Sequence, residues 1–202
     1  MLETKYFKFE TYKKGLINRI FTQKVRFKSD VSIYSDWQEK KLKTILKPST
    51  SNLAISNLEK NFGNYPLYGA NGYLKSINFY EKEVEYIAIV KDGSGVGKLM
   101  LCKRKSSVLG TLQYLDVLGQ NDLYFIYYLL LTLNFKKYII GSTIPHIYFK
   151  DYSNEIIRIP SISEQIKIAN LLTSIDKKME QTNKEIEINK EFKKGLLQKM
   201  FC

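Results

Sequence analysis

One histidine, one tryptophan, two cysteines and four prolines are spread over 202 residues, and each scarcity removes a class of protein. With His146 alone, no histidine-based metal cluster forms within one chain. Cys102 and Cys202 have no metal-ligand spacing and do not suggest a disulfide scaffold. The prolines are isolated, so an Asn-Pro-Pro-aromatic methyltransferase motif is missing, and no Pro-Asp…Glu-x-Lys nuclease core appears. "EKK" (39–41) reads as an exposed helix edge. The longest apolar run, "LYFIYYLLLTL" (123–133), is too short to span a bilayer, which takes about 20 residues. Lys5 and Lys8 are followed by no apolar signal segment, so a cytoplasmic protein is expected.

The one stretch that invites a phosphate-loop reading fails it. In "KDGSGVGK" (91–98), a Walker loop needs Gly where Asp92 stands and Ser or Thr where Leu99 stands, and a strand rather than a helix follows. A hairpin turn with glycines at positive φ is the simpler reading. The chain is expected to be non-catalytic.

What is plentiful is positive charge and aromatic residues. The net charge is +12, with 15 Tyr and 11 Phe. Residues 1–28 hold eight Lys and Arg against two acids, residues 29–160 sixteen against twelve, and residues 161–202 eight against six. A polyanionic partner is expected, and any basic surface in the middle segment must be assembled by folding.

The chain divides into three parts by pattern. Residues 3–23 predict a basic helix from the spacing of Tyr6, Phe9, Leu16 and Ile20, followed by a Ser- and Asp-rich connector over 24–37. Residues 38–46 suggest one or two helical turns stopped by Pro48. From 49 to 160 the pattern is mainly β: a tight turn at Asn71-Gly72, and strands at 84–90 and 98–104 joined by the glycine segment. A buried helix follows over 122–133 with Asn121 or Asp122 as N-cap, then a loop running into a strand over 141–149, and a last strand over 155–160. After Pro160, Ser161 and Glu164 have capping-box spacing. Ile168, Leu172, Ile175, Met179, Thr182 and Ile186 then step by four and three along one long helix. The expected fold class is α+β, a β-rich domain followed by a coiled-coil-forming helix.

The chain also repeats itself. "YKKGLINRIF" (12–21) returns as "FKKGLLQKMF" (192–201), with Lys-Lys-Gly-Leu and the final Phe identical and every other pair exchanged like for like. Three stretches together resemble the specificity subunit of type I restriction–modification enzymes. "IPSISEQIKIANLLTSIDKKME" (159–180) is similar to the Pro-x-x-x-Glu-Gln-x-x-Ile-Ala-x-x-Leu entry to that family's spacer helix. "GSTIPHIYFKD" (141–151) is similar to the close of its recognition domains, and the repeated segments to its helix end and domain junction.

The resemblance implies a division into residues 1–28 (tail of a preceding helix and connector), 29–160 (target-recognition domain) and 161–202 (spacer helix). It implies half of a two-domain subunit, reading one DNA half-site. The expected partners are double-stranded DNA, methylation subunits that carry the S-adenosylmethionine site, and a restriction/motor subunit, with no cofactor in this chain and no membrane.

Candidate DNA-binding residues are the polar and basic groups on turns: Tyr68, Asn71, Tyr73, Lys91, Ser94, Lys98, Lys103, Arg104, Lys105, Ser142, Thr143, His146 and Lys150. Taken singly, each also fits a solvated surface residue, and Tyr127, Tyr128 and Tyr138 fit the core. Ile168, Leu172, Ile175, Met179 and Ile186 are expected to pair with a second copy, with the 3–23 stub near the partner's helix ends. A coiled-coil scaffold with a protein-binding head is the alternative from another class, and a basic helix on a membrane surface is a third.

Overall fold

The structure, a computed structural model, describes residues 2–27 and 36–201, with side chains of the last helix described to residue 198. Most of the connector expected over 24–37 lies outside these residues. The first helix, α1 (Leu2–Phe21), buries Ile20 and leans Leu16, Ile17 and Phe21 on the main core. Its end is a Schellman turn: Gln23 takes φ +59°, its N–H donates to the Ile20 carbonyl, and Lys24 N–H donates to that of Arg19.

β1 (Gln38–Lys41) pairs antiparallel with β9 (Ile156–Ile159), Gln38 opposite Ile159. This ribbon sets the entry and exit of the β-rich domain side by side. The helical turns expected over 38–46 are therefore a correction: "EKK" is strand, and only a single 3-10 turn, Leu42–Thr44, intervenes before the next strand. Cross-strand pairing with β9 overrides the weak local helical pattern. Nor does Pro48 stop anything; it lies inside β2 (Leu46–Thr50), where an edge strand tolerates a missing N–H.

The central sheet is antiparallel, in the order β2, β8 (Leu112–Val117), β5 (Tyr86–Val90), β6 (Leu99–Cys102). All five residues of β5 are buried, because both sheet faces are covered. Ile87 and Ile89 face the helices, while Tyr86, Ala88 and Val90 join a second cluster with Cys102, Val108, Leu112 and Tyr114. Over that second face lies a smaller sheet of β4 (Gly72–Ile77), β3 (Tyr65–Gly69) and β7 (Ser107–Val108), with Tyr68 and Ala70 packed inward.

On the helix side, α2 (Leu123–Leu130) is capped by Asp122, whose carboxylate accepts the Phe125 N–H at 2.8 Å. Tyr128 is buried, and Tyr127 and Tyr138 pack on the core. The strand expected at the end of 141–149 is a second correction. His146 forms only isolated bridges, and Phe149 opens a one-turn helix, α3 (Phe149–Tyr152).

The last helix, α4 (Ile162–Phe201), is 40 residues long, about 60 Å by the usual rise. Among the described residues no helix is long and apolar enough to cross a membrane. Two buried side chains at its start join it to the rest. The Glu164 carboxylate accepts from Arg26 Nε at 2.8 Å, from the second Arg26 guanidinium nitrogen Nη2 at 2.9 Å and from the Phe27 N–H at 3.2 Å. Gln165 accepts the Asp122 N–H through Oε1 at 2.9 Å and donates to the Pro160 carbonyl at 3.0 Å. Glu164 is thus committed to the end of α1, beyond the role in a capping box that its spacing suggested.

α1 lies antiparallel along α4. Glu3 meets Lys190 at 3.8 Å, Lys13 pairs with Asp176, and Arg26 with Glu164. This corrects the expected dimer seam: Ile168, Leu172, Ile175 and Ile186 are buried within the chain and Met179 half-buried. The spacing demanded a partner helix, and the chain's own α1 and α2 supply it.

Glu164→Ala should lower stability by about 1–3 kcal/mol, because it removes the buried carboxylate to which the half-buried Arg26 guanidinium and the Phe27 N–H donate. Gln165→Leu should cost about 1–3 kcal/mol through the Asp122 amide. Urea unfolding followed by circular dichroism measures both, and a loss under about 1 kcal/mol for Glu164→Ala contradicts the joint.

Candidate nucleic-acid interface

The turn between β5 and β6 is built by three glycines in the left-handed region: Gly93 (φ +80°), Gly95 (+87°) and Gly97 (+84°). Its amides are tied inward, Gly97 N–H to the Val90 carbonyl at 2.8 Å and Lys98 N–H to that of Gly95 at 2.9 Å. A Cβ on Gly97 would lie 3.1 Å from Phe135, so the turn also packs closely on the segment after α2. A cleft of about 300 Å³ runs between them, lined by Gly95–Lys98 and Leu133–Lys136.

The segment 140–147 crosses this turn. The Gly93 N–H donates to the Pro145 carbonyl and the Ile147 N–H to that of Lys91, both at 2.9 Å. His146 exchanges backbone hydrogen bonds with Ile140 at 2.9 and 2.8 Å. Gly141, at φ +86°, permits the reversal; a Cβ there would stand 2.5 Å from the Ile144 carbonyl oxygen. The crossing joins the backbone at Lys91 and Gly93 to that at Pro145 and Ile147, with Ser94 and Lys98 carried on the glycine turn and Ser142, Thr143 and His146 on the crossing segment.

At its centre is Asp92. One carboxylate oxygen meets His146 Nδ1 at 2.8 Å, and the other takes the Lys91 ammonium. Burial pushes the Asp92 carboxyl up, but the hydrogen bonds from His146 and Lys91 outweigh it and hold it below its ordinary range. The His146 ring lies nearly parallel to Tyr148, 13° between planes and 6.5 Å between centroids. The Lys150 ammonium sits 5.4 Å from the centre of the Tyr148 ring.

The remaining candidates form a second group. Asn71 and Tyr73 are exposed on the β3–β4 hairpin, whose reversal uses Gly72 at φ +107°, and the Tyr73 hydroxyl meets Ser76 Oγ at 3.1 Å. Tyr68, half-buried on the same hairpin, is raised in pKa by burial, partly offset by a hydrogen bond with the Lys103 backbone. Lys103, Arg104 and Lys105 are exposed at the far end of β6. Arg104 and Lys105 both lean on Glu83, at 3.8 and 3.7 Å. Lys98 and Lys103 bracket β6, so about 17 Å of strand separates the two groups.

Asp92, Tyr148 and Lys136 belong to the first group and were not singled out in the sequence. Local pattern gives Asp92 only a turn role, and Lys136 reaches the glycine turn through a contact between distant segments. Chemically, the arrangement offers exposed cations for phosphates and a fixed imidazole, amide and hydroxyls for base edges.

The chain has known relatives. It is 28% identical over 179 residues to the type I restriction enzyme MjaVIII specificity subunit of Methanocaldococcus jannaschii, covering 82% of this chain and 42% of that protein. Among solved structures it is similar to the S subunit of a type I restriction–modification system from M. genitalium, with TM-score 0.69 and 21% identity over 83% of this chain and 45% of that one. It is also similar to the HsdS subunit of Thermoanaerobacter tengcongensis, with TM-score 0.59 and 14% identity over 91% of this chain and 48% of that one. The chain thus spans about half the length of the relatives it matches. Residues 34–190, covering the β-rich domain and most of α4, match the family described as "Type I restriction modification DNA specificity domain", and the chain belongs to that family.

Proposed function

We propose that this chain reads one short half-site in duplex DNA as a specificity component of a type I restriction–modification assembly, with no catalytic activity of its own. The observation that carries the reading is the family match, which spans the β-rich domain and the long helix together. Residues 29–160 act as the target-recognition domain and α4 as the spacer that sets it at a fixed distance. The Asp92–His146 region and the β3–β4 hairpin supply base and phosphate contacts, Lys98, Lys103 and Lys150 being exposed cations. The helices dock methylation subunits, which bring the S-adenosylmethionine, and a restriction/motor subunit adds cleavage. The setting is the cytoplasm.

A second copy of the chain also belongs to this reading, on a different surface from the seam first expected. Phe192, Leu196 and Leu197 are 65%, 45% and 45% exposed, beyond the stretch that α1 covers. Burying each is worth roughly 1.5–3 kcal/mol, enough to set against the cost of association when doubled by a two-fold axis. Two identical readers so related would favour an interrupted palindrome.

Duplex binding should weaken steeply with salt as phosphate contacts release counterions. Lys98→Ala should flatten the logarithmic salt slope by about one, and Ala at Lys103, Arg104 and Lys105 together by up to about three. An anisotropy titration reads this; an unchanged slope in a folded variant removes those residues from the interface, and a parent that binds no duplex leaves the scaffold reading standing. For self-association, sedimentation at tens of micromolar should show a dimer for the parent and a monomer for Leu196→Asp with Leu197→Asp, at equal thermal stability. A monomeric parent contradicts the two-copy arrangement.

A further inference from the structure

We propose that Asp92 is a positioning residue that fixes the hydrogen of His146 on Nδ1 and leaves Nε2 as a bare acceptor, so that His146 reads an exocyclic amino group of a base. The proposal rests on the DNA-reading function above and assigns a chemical target to one residue of that surface.

The tautomer follows from the partners. A carboxylate held below its ordinary range is ionised at neutral pH and can only accept, so across the 2.8 Å contact the imidazole Nδ1 must donate. A neutral ring that donates from Nδ1 has no hydrogen on Nε2. Both ends of the contact are restrained. Lys91 takes the other Asp92 oxygen, so the carboxylate is gripped from two sides. The His146 backbone is bridged to both Ile140 and Asp92, and the ring is flanked in near-parallel by Tyr148. The charged and titratable groups around the ring are Asp92 and Lys91 from the β5 end, and Tyr148 and Lys150 from the segment that follows it. With Nδ1 occupied, the His146 side chain still keeps 35% of its surface exposed.

The tautomer then decides what on DNA this ring can meet. Phosphate oxygens accept and do not donate, so a bare Nε2 has no partner on the backbone. The donors that DNA presents in the major groove are adenine N6 and cytosine N4, with guanine N2 in the minor groove. The neutral ring is therefore suited to a base contact, whereas the exposed cations Lys98 and Lys150 are suited to phosphates. If His146 were only a clip between two loops, its ring hydrogen and its exposed edge would be indifferent to the base.

The chain's single histidine makes the test direct, because a two-bond proton–nitrogen correlation spectrum of the full chain reports on His146 alone. The parent should show the Nδ1–H tautomer when neutral, Asp92→Asn should retain it through its amide oxygen, and Asp92→Ala should revert to Nε2–H. In selection from a library of randomised duplexes, His146→Ala should lose preference for an amino-bearing base at one position by about tenfold, with the other positions unchanged. Asp92→Asn should keep most of that preference. An Nε2–H ring in the parent, a reading that needs no variant, overturns the role of Asp92. Uniform weakening at every position by His146→Ala overturns the base contact. A parent with the Nδ1–H ring that binds no duplex overturns the amino-group target through the failure of the function itself, which separates the two readings.

Discussion

The arrangement depends on two adjacent side chains at the start of α4. Glu164 and Gln165 are each 2% exposed, and they face different ways. Glu164 holds the end of α1 through Arg26 and the Phe27 amide; Gln165 holds the first turn of α2 through the Asp122 amide. Arg26 also lies over the Trp37 ring at 5.6 Å, which ties the start of the β-rich domain to the same point. A buried carboxylate is costly unless its acceptors are filled, and here three donors fill them. The hydrogen-bond geometry therefore fixes the angle at which both helices leave the domain. A Glu-Gln pair at a helix start acquires a physical meaning: one residue for each neighbour that must be held.

From that joint the remaining structure divides labour. The helix face of the central sheet is filled by Ile87, Ile89, Leu115, Phe125, Ile168 and Leu172, which belong to one continuous core. The opposite face is covered by the small β3–β4–β7 sheet, and the polar groups are carried on connections between strands. Loops can change there without disturbing the joint.

Much of this was legible from local pattern. The Asp122 cap, the β5–β6 hairpin with its glycines and the whole of α4 follow from period and turn chemistry, which act over a few residues, while the β3–β4 reversal falls one residue early, on Ala70-Asn71 with Gly72 opening β4. What escaped was decided by distant partners. Residues 38–41 are strand because β9 pairs with them, and Pro48 is tolerated because β2 is an edge. The seam of α4 was read correctly as apolar and assigned to the wrong partner, since spacing shows that a face must be covered but not by which helix. On the surface, two of the candidates, Lys91 and His146, meet at Asp92, which the sequence reads only as a turn residue. Its role depends on a contact with a residue 54 positions away.

The central proposal is that this chain, through its β-rich domain, decides which DNA sequence a methylating assembly marks. Sequencing the methylated bases of a host that supplies the methylation subunits, with and without this chain, tests it most directly. The account predicts a methylated motif that appears only when the chain is present and shifts when the loops around Asp92 and the β3–β4 hairpin are exchanged for those of a relative. A methylation pattern that is the same with and without the chain, or that keeps its motif after the loop exchange, would contradict it.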